Sequence, residues 1–273
     1  MMSRSHPLDR YAGSWALVTG SAGECGLGFA FAREIASRGI NLILVDILGE
    51  ELAERAADLT SRHGVEVRSI AADLADLSVY PRITAEVADV DVDVLVCNHM
   101  YTPKDTPKIL DMPLDVHNAM IDINARAYLQ LVHLFVNPMV DRGRGAVLLV
   151  ASGAGLVPAP YTGAYAANKA YQIVLGEVLS YEVRRAGVDV LVMSAGLMDT
   201  QGAALDDYPR WQIADPEDAA SETLRAIGRK QMVMPGWPNR VFTLINTRLL
   251  PRRVAVSAMG RFMERGLGKG DWT

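Results

Sequence analysis

Short apolar runs alternate along this chain with longer stretches of helical period, and no other feature constrains the fold as much. The runs are Trp15–Thr19, Asn41–Asp46, Val65–Ile70, Val92–Asn98, Ala146–Ser152, Val188–Ser194 and Met232–Met234. They are rich in Val, Leu and Ile, as strands buried on both faces should be. Between them, apolar spacing predicts helices near residues 27–38, 50–62, 79–89, 114–140, 163–185 and 216–228. Strand, helix, strand, helix implies right-handed crossovers and a parallel sheet covered on both sides. No Pro/Gly/Ser linker divides the 273 residues. The expectation is therefore one doubly wound α/β domain of about seven parallel strands flanked by helices. Residues 1–236 form this unit, and 237–273 form a C-terminal helical extension of it.

Half the residues are hydrophobic and 22% are charged, which suits a large core and excludes a disordered chain. The net charge of −5 argues against a general nucleic-acid binder. Two cysteines, Cys25 and Cys97, cannot build a disulfide framework, so a reducing, cytoplasmic setting is expected. Met1–Gly13 has no apolar run and does not read as a secretory signal. The longest uncharged stretch, Gly145–Asn168, is interrupted by glycines and prolines, so no transmembrane segment is expected.

In such sheets ligands bind beyond the carboxyl ends of the strands. After the first strand comes Thr19-Gly20-Ser21-Ala22-Gly23-Glu24-Cys25-Gly26-Leu27-Gly28, then a helix. Glycines let the backbone approach a pyrophosphate, and the helix start offers unpaired N–H groups. Gly20, Ser21, Gly26, Leu27 and Gly28 are the candidate contacts. Cys25 reads as a small buried filler in this loop. The second strand ends in Asp46, which can accept hydrogen bonds from ribose hydroxyls and would repel a 2′-phosphate. That favours NAD over NADP, since no Arg or Lys stands in the loop or directly after Asp46. Asp46 could instead cap the next helix. Asp73, with Leu74, follows the third strand and reads equally as an adenine contact or a loop cap.

Tyr165 and Lys169 are four apart in a helical stretch, which puts both on one face. Ser152 ends the fifth strand, and Asn124 lies inside the long preceding helix. Oxidising an alcohol requires removal of its proton. Tyrosine has a reference pKa near 10, about 3 units too high for a base at neutral pH, a gap of about 4 kcal/mol. A nearby Lys⁺ favours tyrosinate and can close part of it. Ser152 can hydrogen-bond the substrate oxygen. Asn124 is placed to hold a water between Lys169 and solvent.

Together these residues resemble the short-chain dehydrogenase/reductase family, with its Rossmann-type fold, from about Ser14 to Gly236. The motifs are the Thr19–Gly28 loop, Asp46, Asp73-Leu74, Asn98, Asn124, Ser152, Tyr165-x-x-x-Lys169 and the Ala195-Gly196…Thr200 turn. The resemblance implies that Asn124, Ser152, Tyr165 and Lys169 form a catalytic tetrad. It implies that Tyr165, Lys169, Asn98, Gly196 and Thr200 also meet the cofactor. Three departures stand out. The glycine loop is two residues longer than usual, as in the enoyl-reductase branch, but the Tyr–Lys interval is not that of the branch. The usual Asn-Asn-Ala-Gly reads Cys97-Asn98-His99-Met100, with His99 open to a substrate contact or to no chemical role. The usual Pro-Gly reads Ala195-Gly196.

Leu156, Tyr161, Leu197, Tyr208 and Trp211 outline an apolar, aromatic substrate site with no Arg or Lys for a carboxylate or phosphate. The expected reaction interconverts a lipophilic secondary alcohol and its ketone with NAD, and no metal is expected. NADP-dependent reduction of a polyketide or acyl substrate and a catalytically silent NAD-binding scaffold are the alternatives. Surplus apolar residues on the helices near 114–140 and 163–185 suggest a homodimer or homotetramer. Finally, residues 240–266 hold six arginines against one acid, Glu264, and Val241, Phe242, Ile245 and Leu249 form an apolar stripe in them. This segment reads as helices packed on their own domain, on the pocket or a neighbouring subunit, or on an anionic membrane.

Overall fold

The computed structural model describes residues 5–103, 108–200, 210 and 213–266. Its strands are β1 (Trp15–Thr19), β2 (Asn41–Asp46), β3 (Val67–Ala71), β4 (Val92–Cys97), β5 (Gly145–Ser152), β6 (Val188–Ala195) and β7 (Met232–Val233). They form one parallel sheet in the order β3-β2-β1-β4-β5-β6-β7. The order reverses between β1 and β4, which opens a crevice at the carboxyl ends of those two strands.

Alternate residues of each central strand enter different layers. Val18, Val96, Leu148 and Leu191 pack on one face with Phe29, Phe31 and Ile35 of α1 (Leu27–Ala36) and Leu224 of α7 (Pro216–Leu224). Leu17, Leu95, Val147 and Val190 pack on the other with Tyr80 and Ile83 of α3 (Val79–Glu86) and Leu131 and Phe135 of α5 (Ala127–Arg142). Each such side chain contributes about 1.5–3 kcal/mol on burial, so both layers hold the strand ends in fixed register. The remaining covering helices are α2 (Gly49–His63) and α6 (Ala164–Val183).

Three features differ from the pattern read in the sequence. First, β3 is an edge strand and is only partly buried; Arg68 on it pairs with Asp89 at 2.7 Å and lies 4.7 Å over the Trp15 ring. An edge strand has one neighbour, so its side chains need not be apolar on both faces. Second, a 3₁₀ turn, Pro7–Tyr11, precedes β1 and plugs the first layer with fully buried Leu8 and Tyr11. Arg10 and Arg144 stack on the Tyr11 ring at 4.7 and 5.1 Å. Third, the expected helix over 114–140 is α4 (Leu114–Ile121), a π turn (Asp122–Arg126) and α5.

The extension begins with α8 (Trp237–Leu244), runs into a second π turn (Ile245–Leu249), breaks at Pro251 and ends in α9 (Arg252–Gly266). It folds back on the domain. Phe242 and Phe262 stack at 6.1 Å, and Tyr161 donates a hydrogen bond to Glu264 at 2.8 Å. Among the described residues no helix is long and apolar enough to cross a membrane.

Candidate active site

The crevice between β1 and β4 is a groove lined by Gly20, Asp46, Asp73, Leu74, Asn98 and Met100, among others. Gly20 has φ +69, a left-handed conformation that favours glycine, and its missing side chain leaves room for the His99 backbone. A Cβ on Gly28 would run into the Gly20 carbonyl. Asn98 donates from Nδ2 to that same carbonyl at 2.9 Å, so strand, loop and helix are locked together. Gly26 is the N-cap of α1 and supplies no side-chain cap, which leaves the first N–H groups of the helix without a side-chain acceptor. These features fit a dinucleotide pyrophosphate. Ser21 is fully buried, with Oγ 3.4 Å from the Val18 carbonyl, and so braces the loop. The two extra residues form an outward turn at Glu24-Cys25, and Cys25 is exposed rather than a buried filler.

Asp46 stands at the end of β2 facing this loop. One carboxylate oxygen accepts the Ala22 N–H at 3.0 Å and the other the Leu48 N–H at 3.3 Å. It does not cap α2, whose N-cap is Leu48. Arg55 of α2 reaches the loop from outside, 3.8 Å from Glu24, but it is also paired with Glu54. Sequence proximity gave no sign of that cation. Asp73 accepts the Ala75 N–H at 2.9 Å in a local turn and lines the groove.

The tetrad candidates come together where β5 meets α6. Ser152 is the last residue of β5; its hydroxyl accepts the Ala154 N–H at 3.3 Å and is close enough to the Tyr165 phenol to favour the phenolate. Burial pushes the Tyr165 phenol above its ordinary range, and the Ser152 hydroxyl pulls in the opposite direction. Lys169 lies one helical turn on, with Nζ 5.5 Å from the Tyr165 ring centre and 3.1 Å from the Val150 carbonyl. Burial draws its ammonium down to about 7.

Asn124 sits inside the π turn, a distortion often found at functional sites. Both ends of its amide are engaged: Nδ2 donates to the Tyr101 carbonyl at 2.7 Å and Oδ1 accepts the Tyr101 N–H at 2.8 Å. The side chain thus holds the loop after β4. Its main-chain carbonyl accepts Gln172 Nε2 at 2.7 Å.

His99 is buried, not a free loop residue. Its Nδ1 is 2.7 Å from Thr19 Oγ1, and its ring packs on Tyr128 at 4.5 Å. Burial, helped by Lys169, lowers its pKa to about 3, so it stays neutral. The Tyr128 hydroxyl lies 3.1 Å from both the His99 and Val150 carbonyls, and Val150 is the residue that receives Lys169. Tyr128 and Gln172 carried no motif; only helical spacing from Asn124 and Lys169 could have flagged them.

Beside Ser152 and Tyr165 opens a cavity of about 290 Å³. Its walls include Val157, Leu197, Met234, Phe242, Met259 and Phe262. No charged side chain lines it among the described residues. Gly196 is in the wall, where Asn239 packs directly against it. Leu156 instead packs with Ala151, Ile173 and Val192, and Tyr161 is turned to Glu264. Thr200 follows β6, with its N–H on the Met198 carbonyl. Tyr208 and Trp211 lie outside the described residues.

A profile described as short chain dehydrogenase matches residues 14–207. The chain belongs to this family. Very-long-chain 3-oxoacyl-CoA reductase-B of Danio rerio is 30% identical over 245 residues, 89% of this chain and 78% of the relative. The 7beta-hydroxysteroid dehydrogenase of Collinsella aerofaciens is 28% identical over 238 residues, 84% of this chain and 88% of the relative. A solved structure described as giving insights into 7beta-hydroxysteroid dehydrogenase stereoselectivity superposes with a TM-score of 0.86 at 26% identity, covering 92% of this chain and 98% of that one. This short-chain dehydrogenase is therefore an oxidoreductase of a family that uses NAD(P), with a seven-stranded Rossmann-like sheet among the described residues.

Proposed function

We propose that this chain interconverts a lipophilic secondary alcohol and its ketone, with NAD as redox partner. The carrying observation is that Ser152 and Tyr165 face a mainly apolar cavity with no charged side chain among the described residues. A substrate with a carboxylate or phosphate in that cavity would leave a charge without a partner, a cost of several kcal/mol. The relatives' printed names include a hydroxysteroid and a very-long-chain 3-oxoacyl-CoA, whose steroid rings and acyl chain are apolar, although the CoA carries phosphates outside the reacting part.

Bound in the groove, a nicotinamide dinucleotide would supply the acceptor or donor of hydride. The chain's own residues handle the proton. Ser152 Oγ fixes the substrate oxygen beside the Tyr165 hydroxyl. In oxidation the Tyr165 oxygen takes the alcohol proton; in reduction it returns one to the ketone oxygen. Lys169 is the buried cation nearest the Tyr165 ring, so a proton kept on Nζ and a proton lost from the phenol favour one another. Asn124, Gln172, His99 and Tyr128 hold Lys169 and the loop after β4 in place. The extension belongs to the same catalytic unit, because Phe242 and Phe262 wall the cavity.

Cofactor choice tests this reading together with substrate class. Turnover of apolar secondary alcohols is expected with NAD, and kcat/KM with NADP is expected to be at least about tenfold lower, because the Asp46 carboxylate would repel a 2′-phosphate. Asp46→Ser should narrow that ratio. A native enzyme that prefers NADP, or one that turns over only carboxylated or phosphorylated alcohols, would overturn the assignment.

Assembly follows from the helix faces. Met120, Val132 and Phe135 are spent in the core, while Leu129, Tyr171, Val174, Val178 and Tyr181 remain exposed on α5 and α6. A groove between these helices is lined by Leu129, Val136, Leu175 and Val178. Pairing of this face with a second copy would cover it, giving a dimer or tetramer. Light scattering at micromolar concentration should give at least twice 29.7 kDa. A monomeric mass would contradict the pairing.

A further inference from the structure

Among the described residues the outer face of α8 and its π turn has no partner on the domain. Trp237, Val241, Leu244, Ile245 and Leu249 recur at spacings of four, three, one and four and are all exposed, Trp237 by 71% and Leu249 by 69%. The opposite side of the same helix carries Asn239, Phe242 and Thr243, which wall the cavity beside Tyr165. The helix is thus amphipathic in an unusual sense, with an apolar stripe turned away from its own protein. The extension that carries the stripe is rich in arginine. Arg240 is paired with Glu222, but Arg248, Arg252, Arg253 and Arg261 are exposed and make no ion pair among the described residues. Over residues 240–266 six arginines face one acid, a charge of +5 on a chain of −5. That one acid, Glu264, is taken by Tyr161.

We propose that this outer face of the C-terminal extension is a docking surface for an anionic lipid bilayer. A stripe with an exposed tryptophan at its start, on an extension whose exposed arginines are largely unpaired, matches the chemistry of the interface: apolar groups enter the acyl boundary, and guanidinium groups meet lipid phosphates. A second copy is the weaker occupant. A two-fold contact would set unpaired arginines against their own symmetry mates, whereas an anionic surface neutralises all of them. The extension is already helical, and Phe242 and Phe262 meet within it, so docking needs no prior folding. The active-site cavity then lies on the far side of the docking helix. Docking does not depend on the chemistry proposed above and is read without substrate or cofactor.

The test is flotation of the full chain with vesicles of phosphatidylcholine, either alone or with about one-third phosphatidylglycerol. Binding is expected on the anionic vesicles, is expected to fall in high salt, and should be near background on the neutral ones. Each arginine near such a surface strengthens partition about fivefold, so R248Q/R252Q/R253Q should weaken it by about a hundredfold. W237S/L249S should weaken it independently. Circular dichroism and thermal melting check that each variant is folded; should the triple variant unfold, R253Q alone, with its expected loss of about fivefold, decides. No flotation, or equal flotation on both vesicles untouched by the arginine changes, would overturn the proposal. So would a lipid-free, concentration-dependent rise in mass that the arginine changes abolish, since that would assign the face to a second copy.

Discussion

Replacing Tyr165 by phenylalanine is expected to lower kcat by about 10²–10⁴-fold while leaving NAD affinity within about twofold of native. Only the hydroxyl is lost. Its neighbour within the protein is Ser152, so the fold keeps its ring contacts and the strand–loop–helix lock at Gly20, Asn98 and Gly28 is untouched. Those contacts belong to the groove at the sheet's switch point, and the Tyr165 hydroxyl makes none of them. Stopped-flow or steady-state turnover, beside a fluorescence titration of the dinucleotide, separates the two effects. Near-native turnover in the variant would remove Tyr165 from the chemistry. A parallel collapse of dinucleotide affinity would show that the hydroxyl builds the binding site instead. Ser152→Ala sharpens the comparison, because it removes the hydroxyl that opposes the upward shift of the Tyr165 phenol.

Much of this site could be read from the chain because its parts follow strand ends. Gly20, Asp46, Asn98, Ser152 and Gly196 each come directly after or at the end of an apolar run, and a parallel sheet delivers such positions to one edge. The Tyr165–Lys169 interval was legible for the same kind of reason, since four residues on a helix is one turn. What escaped depends on contacts between segments far apart in sequence. The π turn at Asp122–Arg126 has the composition of an ordinary helix, and only its tertiary bonds to Tyr101 and Gln172 account for it. His99 reads as a loop residue until Thr19 and Tyr128 close around it, 80 and 29 residues away. Leu8 and Tyr11 have no periodic pattern, because a five-residue turn is too short to show one. On α8, Phe242 and Val241 are neighbours in one apparent stripe, yet a helix turns about 100° per residue, so Phe242 also lines the cavity while Val241 does not. Leu156 was drawn to the substrate by its neighbours in sequence, but the 3₁₀ turn at Gly153–Gly155 rotates it into the packing against Ile173.

Lys169→Met should make the protein more stable and nearly inactive at the same time. The ammonium is buried beside β5 with one carbonyl, Val150, within hydrogen-bond distance, and burial lowers its pKa from 10.5 to about 7. The folded value lies below the unfolded one, so between about pH 7 and pH 10.5 the unfolded chain binds more protons. Stability therefore rises with pH across that window as far as this residue is concerned. Below about pH 7 the cost of burying the charge is present in full; above pH 10.5 it is gone. Methionine fills similar volume without charge, and relieving the burial of a lone ammonium should stabilise by about 1–4 kcal/mol, the scale found when buried ion pairs are replaced by apolar side chains. For a chain of this length that is a rise of several degrees in Tm, at about 2–4 °C per kcal/mol. The gain should be largest at pH 6 and should vanish towards pH 10.5, because only the native protein carries the titration. Turnover should fall by at least about 10²-fold, since the cation that favours the Tyr165 phenolate is gone. Melting curves from pH 6 to 10, read against activity, decide it. A variant no more stable than native at pH 6 would mean that the Val150 bond and its surroundings already offset the burial. A stabilised variant with native turnover would mean that Tyr165 works without Lys169, and the coupled proton of the proposed mechanism would have to be placed elsewhere.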